Sequence, residues 1–436
     1  MDLIIKSKAA RLILAAFEVA VFLLMTFWVG KTYLADVVSR RLDVDSLRVA
    51  TQLDPGNADY HIDLGRIYQY SLTDINTPAA LEELNHAAEL NPFDAQAWLD
   101  LGAAQEIQGQ LDQAESSLRR ADYLAPELPH FQWAIGNFFL LRGNLDEALR
   151  HFKIVLAGGS QYGQAIFSTA WKAVGDGDEI LAKLIPDRID AQFRYLEYLV
   201  GQRKLSEAEK VWRKIDASSS PFDPAQAVGY AAAYIDALLG SGEGDKAYQV
   251  WSALEEHKLI SKQSEPGNLV SNGDFEGEMR NLGFGWRIYN VPGVYAGLDS
   301  TVFHSGGHSL AIAFSGSANF YYHAVFHYVK VTPGVRYRVE AYFKTEGITT
   351  DSGPRLEVSD AFDARVFNVF SEQLTGTNVE WTLLSADFTP SRKTHYVTVS
   401  IARVPSEKLD NKIAGKVWVD DVKVSPLEPR SADARR

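Results

Sequence analysis

An unbroken apolar run opens the chain. Leu12 to Gly30 (LILAAFEVAVFLLMTFWVG) has Glu18 as its single charged residue. At about 1.5 Å of rise per residue, a helix of this length crosses the roughly 30 Å of a bilayer's hydrocarbon core. A secretory signal peptide would have an apolar core of about 7 to 15 residues ending in a small-x-small cleavage site. Lys31-Thr32-Tyr33-Leu34-Ala35 follows here instead, so an uncleaved transmembrane helix over 12–30 is expected. Lys6, Lys8 and Arg11 precede it and place residues 1–11 in the cytoplasm by the positive-inside rule. Arg40 and Arg41 on the far side weigh the other way, offset by Asp36, Asp43 and Asp45. The expected location is a single-pass cell inner-membrane protein with its bulk extracytoplasmic, in the periplasm.

From 38 to 260 the apolar positions take helical spacing and repeat. Pro92 and Pro126 are 34 residues apart, as are Gly102 and Gly136, each glycine ten residues after a proline. Pro55 and Gly65 keep the ten-residue interval, and the step from Pro55 to Pro92 is 37 because 71–78 carries an insertion. Residues 261–267 (SKQSEPG) then read as a linker. From 268 to 425 the period changes to two: Val335, Tyr337, Val339, Ala341 and Phe343 alternate with polar or larger neighbours, and 394–403 and 415–424 also read as strands. Many short strands with no helix between them predict an all-β sandwich, followed by a flexible tail at 426–436.

Charge and composition narrow the classes. A net charge of -13 over 436 residues argues against a nucleic-acid partner, which needs clustered Lys and Arg. The absence of cysteine removes disulfides, thiolate metal sites and a cysteine nucleophile.

The helical half resembles the tetratricopeptide repeat, carried by Leu64, Gly65, Tyr68, Ala80 and Pro92, then Trp98, Leu101, Gly102, Ala114 and Pro126, then Gly136, Phe139, Ala148 and Phe152. Small residues where two antiparallel helices cross let the backbones approach while aromatics fill the remaining gap. Ala208-x3-Trp212 and Ala247-x3-Trp251 keep only the second-helix signature. Three good repeats, a half repeat at 38–53 and two or three degenerate ones are expected. The resemblance implies an all-α solenoid whose first helices hold a segment of a protein partner.

The second half resembles the jelly-roll carbohydrate-binding modules of xylanases and glucanases, a galactose-binding-like fold. The resemblance rests on 268–276 (NLVSNGDFE), Gly285-Trp286, 306–310 (GGHSL), 331–334 (VTPG) leading into Tyr337, Trp381, and 417–422 (VWVDDV). The expected fold class is therefore multi-domain: a transmembrane helix, an all-α solenoid and an all-β jelly roll. Two sites follow from this resemblance. A structural calcium (Ca2+) would use the Asp274 carbonyl, the Glu276 carboxylate, Ser305, the His308 carbonyl and the Asp420 carboxylate; Ser305 stands where a related module has an acidic side chain. The alternative is that Glu276 and Asp420 are strand-end carboxylates satisfied by backbone N–H groups.

The other site is a sugar platform, in which aromatic rings stack on the apolar faces of pyranose rings. Phe320, Tyr321, Tyr322 and Phe362 lie where related modules place such rings. Successive strand residues face opposite sides, so Tyr321 cannot share a face with Phe320 and Tyr322. Tyr321 and Phe362 are open to either a core or a ligand role, and Trp286, Trp381 and Trp418 are expected in the core.

Catalysis is not expected. His304-x3-His308 and His323-x3-His327 copy a helical zinc spacing, but in a strand such pairs are about 13 Å apart. No nucleophile elbow, phosphate-binding loop or dinucleotide fingerprint is present, and Asp176-Gly177-Asp178 lacks the remaining ligands of a calcium loop. The expected function is a membrane-anchored scaffold that binds a protein through its repeats and a glycan or polysaccharide through its jelly roll, accessory to cell-surface polysaccharide assembly or export. The alternative is an interaction scaffold with no sugar ligand, its jelly roll docking protein or capping the solenoid.

Overall fold

The computed structural model describes residues 8–159, 161–218, 223–261, 265–409 and 411–427. Most of the N-terminal end and of the C-terminal tail, and part of the 261–267 linker, lie outside these residues. The chain forms two compact units, one up to Ala191 and one from Gln192 onward.

In the first unit, helix α1 (Lys8–Ser39) is long and apolar enough to cross a membrane, with a mean hydropathy of 2.4 over its apolar window and none of that window buried. It continues without a break past Gly30. Ala35 and Ser39, near its end, are buried, and Ala35 clusters with Ala50 of α2 (Val44–Leu53) and with Tyr60. The end of α1 thus supplies the first helix of the half repeat expected at 38–53. Asp43 starts α2 by accepting the Ser46 N–H at 2.8 Å.

Three helix pairs follow: α3 (Ala58–Tyr70) with α4 (Thr77–Leu90), α5 (Ala95–Ile107) with α6 (Leu111–Leu124), and α7 (Pro129–Leu141) with α8 (Leu145–Ala157). The repeated residues act as their spacing predicts. Ala80, Ala114 and Ala148 are fully buried, and Trp98 Nε1 donates to the Pro92 carbonyl at 3.1 Å, tying the turn to its helix. Two shorter helices, α9 (Gly163–Ala173) and α10 (Gly177–Lys183), complete the unit. Asp176 is the N-cap of α10, accepting the N–H groups of Asp178 and Glu179.

Next come α11 (Ile189–Gly201), α12 (Leu205–Asp216), α13 (Pro224–Gly240) and α14 (Gly244–Glu256). Trp212 and Trp251, the two residues of the degenerate signature, are both buried. Among the described residues the second unit also holds ten strands, β1 (Trp286–Ile288), β2 (Val294–Asp299), β3 (Ser309–Ser315), β4 (Tyr322–Lys330), β5 (Tyr337–Ile348), β6 (Arg355–Asp360), β7 (Asn368–Gln373), β8 (Gly376–Phe388), β9 (Tyr396–Arg403) and β10 (Ala414–Pro426), in two antiparallel five-stranded sheets ordered β1-β4-β9-β6-β7 and β2-β3-β10-β5-β8. Their inner faces share one core that includes Trp286, Phe343, Val399 and Val419.

The opening motif is a seam to the last strand, β10 (Ala414–Pro426). Asn268 Nδ2 donates to the Val422 carbonyl at 3.0 Å, its Oδ1 accepts the Val424 N–H, and the Val422 N–H donates to the Gly273 carbonyl at 2.8 Å. A Cβ on Gly273 would lie 2.0 Å from the Val422 oxygen, so the seam closes only with glycine there.

Candidate functional site

Strand alternation decides which side chains are free to serve a site. In β4 (Tyr322–Lys330), Tyr322, Val325 and Val329 enter the core while His323, Phe326 and Tyr328 line the outer face. In β9 (Tyr396–Arg403) and β6 (Arg355–Asp360), Val397, Val399, Leu356 and Val358 are core, and Thr398, Ser400, Glu357 and Ser359 face outward. Together with Tyr289, after β1 (Trp286–Ile288), these outward residues line a groove of about 550 Å³.

Aromatic rings dominate its walls. Tyr289 and Phe326 meet edge-on with centroids 5.5 Å apart, Phe326 and Tyr328 likewise at 5.3 Å, and Tyr321 leans on His323 at 4.7 Å. Among them sits one buried carboxylate. Glu357 is 3% exposed; its Oε1 accepts the Tyr321 hydroxyl and, at 3.0 Å, Asn368 Nδ2, while Oε2 has no hydrogen-bond partner. Burial, and then the Glu357 carboxylate, push the Tyr321 hydroxyl above its ordinary pKa, so it remains a donor. A flat-faced ligand matches this lining, because the rings can cover its apolar face.

Tyr321 and Phe362 both line the groove, 41% and 44% exposed. Phe320 and Tyr322 differ. Tyr322 is 2% exposed within the core, and Phe320 packs against that core, so neither ring forms a platform. Trp286 is a core residue as expected. Trp418 is buried, 5% exposed, but on the outer face of the second sheet, where Lys416 covers it and it donates to Asp299 at 2.9 Å, while Trp381 is half-buried and meets His304 edge-on. Glu357 was not among the expected residues. The alternation Leu356-Glu357-Val358 puts its side chain outward, but its burial comes from residues on other strands.

The helical hairpin α13–α14 abuts one end of the same sheet face. Tyr396 donates to Asp245 at 2.7 Å, and Arg287 donates to Asp236 at 2.8 Å. The Tyr248 and Trp251 rings lie 5.2 Å and 6.2 Å from that of Phe284. A Cβ on Gly244 would lie 2.6 Å from the Tyr396 ring and 3.0 Å from that of Phe362, so this small residue lets the hairpin approach the sheet.

Of the residues of the calcium expectation, the Glu276 and Asp420 carboxylates are turned to N–H groups of the 303–308 loop and of Asp421. Glu276 Oε1 accepts the Gly307 and His308 N–H groups at 2.6 and 2.7 Å, and its Oε2 lies 3.2 Å from His308 Nδ1. Asp420 Oδ2 accepts the N–H groups of His304 and Ser305, and its Oδ1 accepts that of Asp421. The Ser305 hydroxyl donates to Asp421 at 2.7 Å. The Gly307 N–H holds the Glu276 carboxyl below its ordinary pKa, whereas burial pushes Asp420 up to about 6. Calcium needs about 6 to 8 open oxygen ligands, and the two carboxylates, as arranged, are engaged by N–H groups in place of an ion. Among the described residues no three His, Asp or Glu side chains are placed to hold a metal.

The first unit offers a second surface. Each first helix of the three good repeats ends on an exposed apolar residue: Tyr70, Ile107 and Leu141 are 61%, 57% and 78% exposed. Arg66 on α3 donates to Asp100 on α5 at 2.7 Å, locking successive repeats in register.

Residues 83–116 match the tetratricopeptide repeat family. The comparison with curated proteins returned no match. Among solved structures, the chain is similar to the CBM22-1–GH10 modules of endo-1,4-beta-D-xylanase 10B of Clostridium thermocellum, at 18% identity over 35% of this chain and with a TM-score of 0.25. It covers 28% of that xylanase chain, well under two thirds of its length. It is also similar to the MamA protein, at 19% identity over 43% of this chain and 89% of that one, with a TM-score of 0.27. Pseudomonas aeruginosa PilF is similar at 16% identity over 54% of this chain and 93% of that one, with a TM-score of 0.26. The chain thus joins helical repeats, of which residues 83–116 match the tetratricopeptide repeat family, to an antiparallel β-sandwich.

Proposed function

We propose that this protein is a membrane-anchored scaffold that binds a glycan in the aromatic groove of its sandwich and a protein segment along the first helices of its repeats. The groove supports the glycan reading most directly: it sets the exposed Tyr321 and Phe362 rings around Glu357, a buried carboxylate with one oxygen left without a partner. The row formed by Tyr70, Ile107 and Leu141 supports a protein partner, since apolar side chains repeated along a solenoid suit an extended or helical segment. The α1 helix would hold the chain in the cell inner membrane with both binding units on the periplasmic side, fitting a part in assembling or exporting a surface polysaccharide. Binding rather than catalysis is the proposed activity.

One observation favours a second role for the sandwich. Tyr248 and Trp251 of α14 bury their rings against Phe284, so the sandwich also caps the last helix pair, and a cap needs no sugar.

Affinity electrophoresis separates the two. The full chain, kept in a polyoxyethylene detergent free of sugar groups, is run through gels containing xylan, mixed-linkage β-glucan, mannan, dextran or alginate. Retardation in one gel, and loss of about tenfold in affinity in Tyr321→Ala at a temperature where the variant is folded, is the expected result; a stacking ring contributes about 1.4 kcal/mol, one decade. Free migration in every gel would leave the cap as the role of the sandwich.

A further inference from the structure

The groove does not end at Phe362. A second cavity of about 520 Å³ shares Tyr289, Tyr328, Ala361 and Phe362 with it and is closed on its far side by Asp236, Leu239, Gly240 and Gly242, at the end of α13 and in the turn to α14. Each cavity alone has the size of a small-molecule site. Their common wall of three rings makes them two lobes of one depression, one lobe made by strands and the other by strands and helix.

Arg287 lies at the base of the second lobe. It is 6% exposed, its Nη1 donates to Asp236 at 2.8 Å, and its Nε has no partner. Its positive charge is already neutralised by Asp236. Across both lobes the lining carboxylates are Glu357, Asp360 and Asp236, against the single guanidinium of Arg287, with His323 as the remaining titratable base. An anionic sugar entering such a site would face a net negative wall and would have to compete with Asp236 for Arg287. A neutral sugar meets no such repulsion and finds hydroxyl partners in the tyrosines.

We propose that the α13–α14 turn is the far half of the binding site, and that the ligand is a neutral oligosaccharide long enough to touch sheet and helix together. This rests on the glycan reading above. It makes the last helix pair part of the recognition surface, in addition to its packing role, so that a bound glycan bridges the helical repeats and the sandwich.

The test uses the full chain in the same detergent, with the neutral polymer retained best in the gels, a ladder of its oligosaccharides, and the same polymer oxidised to carry carboxylates. Gly240 is exposed, and a Cβ placed on it meets open space, so Gly240→Trp fills the second lobe without disturbing the core. Wild-type affinity is expected to rise with oligosaccharide length beyond the point where that of Gly240→Trp stops rising, leaving the variant about tenfold weaker on the polymer. Wild type is expected to bind the oxidised polymer at least about tenfold more weakly than the neutral one, and Asp236→Asn, which frees the charge of Arg287 and keeps an acceptor beside it, is expected to narrow that gap. Should Gly240→Trp melt early, the Asp236→Asn comparison decides alone. Loss of binding in Tyr321→Ala combined with wild-type binding in Gly240→Trp would overturn the shared site and leave the glycan reading standing. Equal binding of neutral and oxidised polymers would overturn the neutral class. A wild type that binds no polymer sinks both readings.

Discussion

A Cβ placed on Gly65, Gly102 or Gly136 in the helical repeats would lie 2.6 to 2.7 Å from Leu84, Leu118 or Phe152. In the sandwich, a Cβ on Gly273 would lie 2.0 Å from the carbonyl oxygen of Val422, and one on Gly353 1.7 Å from that of Leu374. In the repeats the neighbour is a side chain on the next helix, which can change rotamer. In the sandwich it is main chain that is itself hydrogen-bonded, Val422 to Gly273 and Asn268, Leu374 to Pro354, and it cannot move without breaking those bonds. The repeats are therefore built from local contacts with replaceable side chains, whereas the sandwich relies on close main-chain contacts, one of which, at Gly273, joins the two ends of its chain. Damage should stay local in the first and spread in the second.

Gly273→Ala gives the largest expected effect. The methyl group would break the hydrogen bond from Val422 to Gly273 and open the seam between the first and last segments of the sandwich. Destabilisation of about 3 kcal/mol or more is expected, seen as loss of near-ultraviolet circular dichroism with the helical signal largely kept. A sandwich that melts unchanged would mean that the seam can shift, and the contrast with the repeats would fail.

Acid titration sharpens the comparison from inside the sandwich. His327 is buried, with Nε2 2.8 Å from the Ser271 hydroxyl and no partner at Nδ1, and burial lowers its pKa to about 4. The unfolded chain takes up that proton near pH 6.5 and the folded chain only near 4, so this residue removes stability as pH falls through the window. Asp420 acts oppositely: its folded pKa of about 6 lies above the ordinary 3.8, so the folded state binds the proton first and gains stability over much the same range. The two contributions nearly offset each other in wild type. His327→Leu lacks the His327 contribution, so the stability of wild type relative to the variant is expected to fall by about 3 kcal/mol between pH 7 and pH 4, read from chemical denaturation at each pH. A constant gap would mean that His327 already titrates in the folded state.

Gly102→Ala should do less. The added methyl must displace Leu118, at a cost of about 1 to 3 kcal/mol, while alanine returns about 1 kcal/mol of helix propensity. A modest fall in the helical melt, with the sandwich signal intact, is expected.

The same distinction explains what could be read from the sequence. Gly102 meets Leu118 on the adjoining helix, so the period in the residues is the period in the structure. Strand alternation likewise sorted Tyr321 from Phe320 and Tyr322. Glu357, Arg287 and Asp236 were not legible, because each owes its burial or pairing to a residue distant in sequence: Tyr321 for Glu357, and Asp236 on α13 for Arg287. Trp418 escaped for a related reason. A large aromatic reads as core, and Trp418 is buried, yet its neighbours Val417 and Val419 take the inner face and put the tryptophan on the outer one, with Asp299 for its indole N–H. The continuation of α1 into the first repeat also has no local marker, since the apolar run ends at Gly30 while the helical backbone does not.

The smallest expected effect is that of calcium. If the 303–308 loop were tied to β10 by a bound ion, adding calcium at a hundred times its dissociation constant would stabilise the sandwich by about 2.7 kcal/mol, and chelator would reverse the gain. Here the loop is tied by the Gly307 and His308 N–H groups on Glu276 and by the His304 and Ser305 N–H groups on Asp420. These bonds need no ion, and calcium would have to turn both carboxylates away from them. Wild type is therefore expected to melt at the same temperature in millimolar calcium and in chelator. Glu276→Ala should melt earlier by the same amount in both, because it leaves two N–H groups without their acceptor. A calcium-dependent rise in wild type that Glu276→Ala abolishes would show that the carboxylates do turn outward, and the loop would then be an ion site whose N–H bonds belong to its unloaded form.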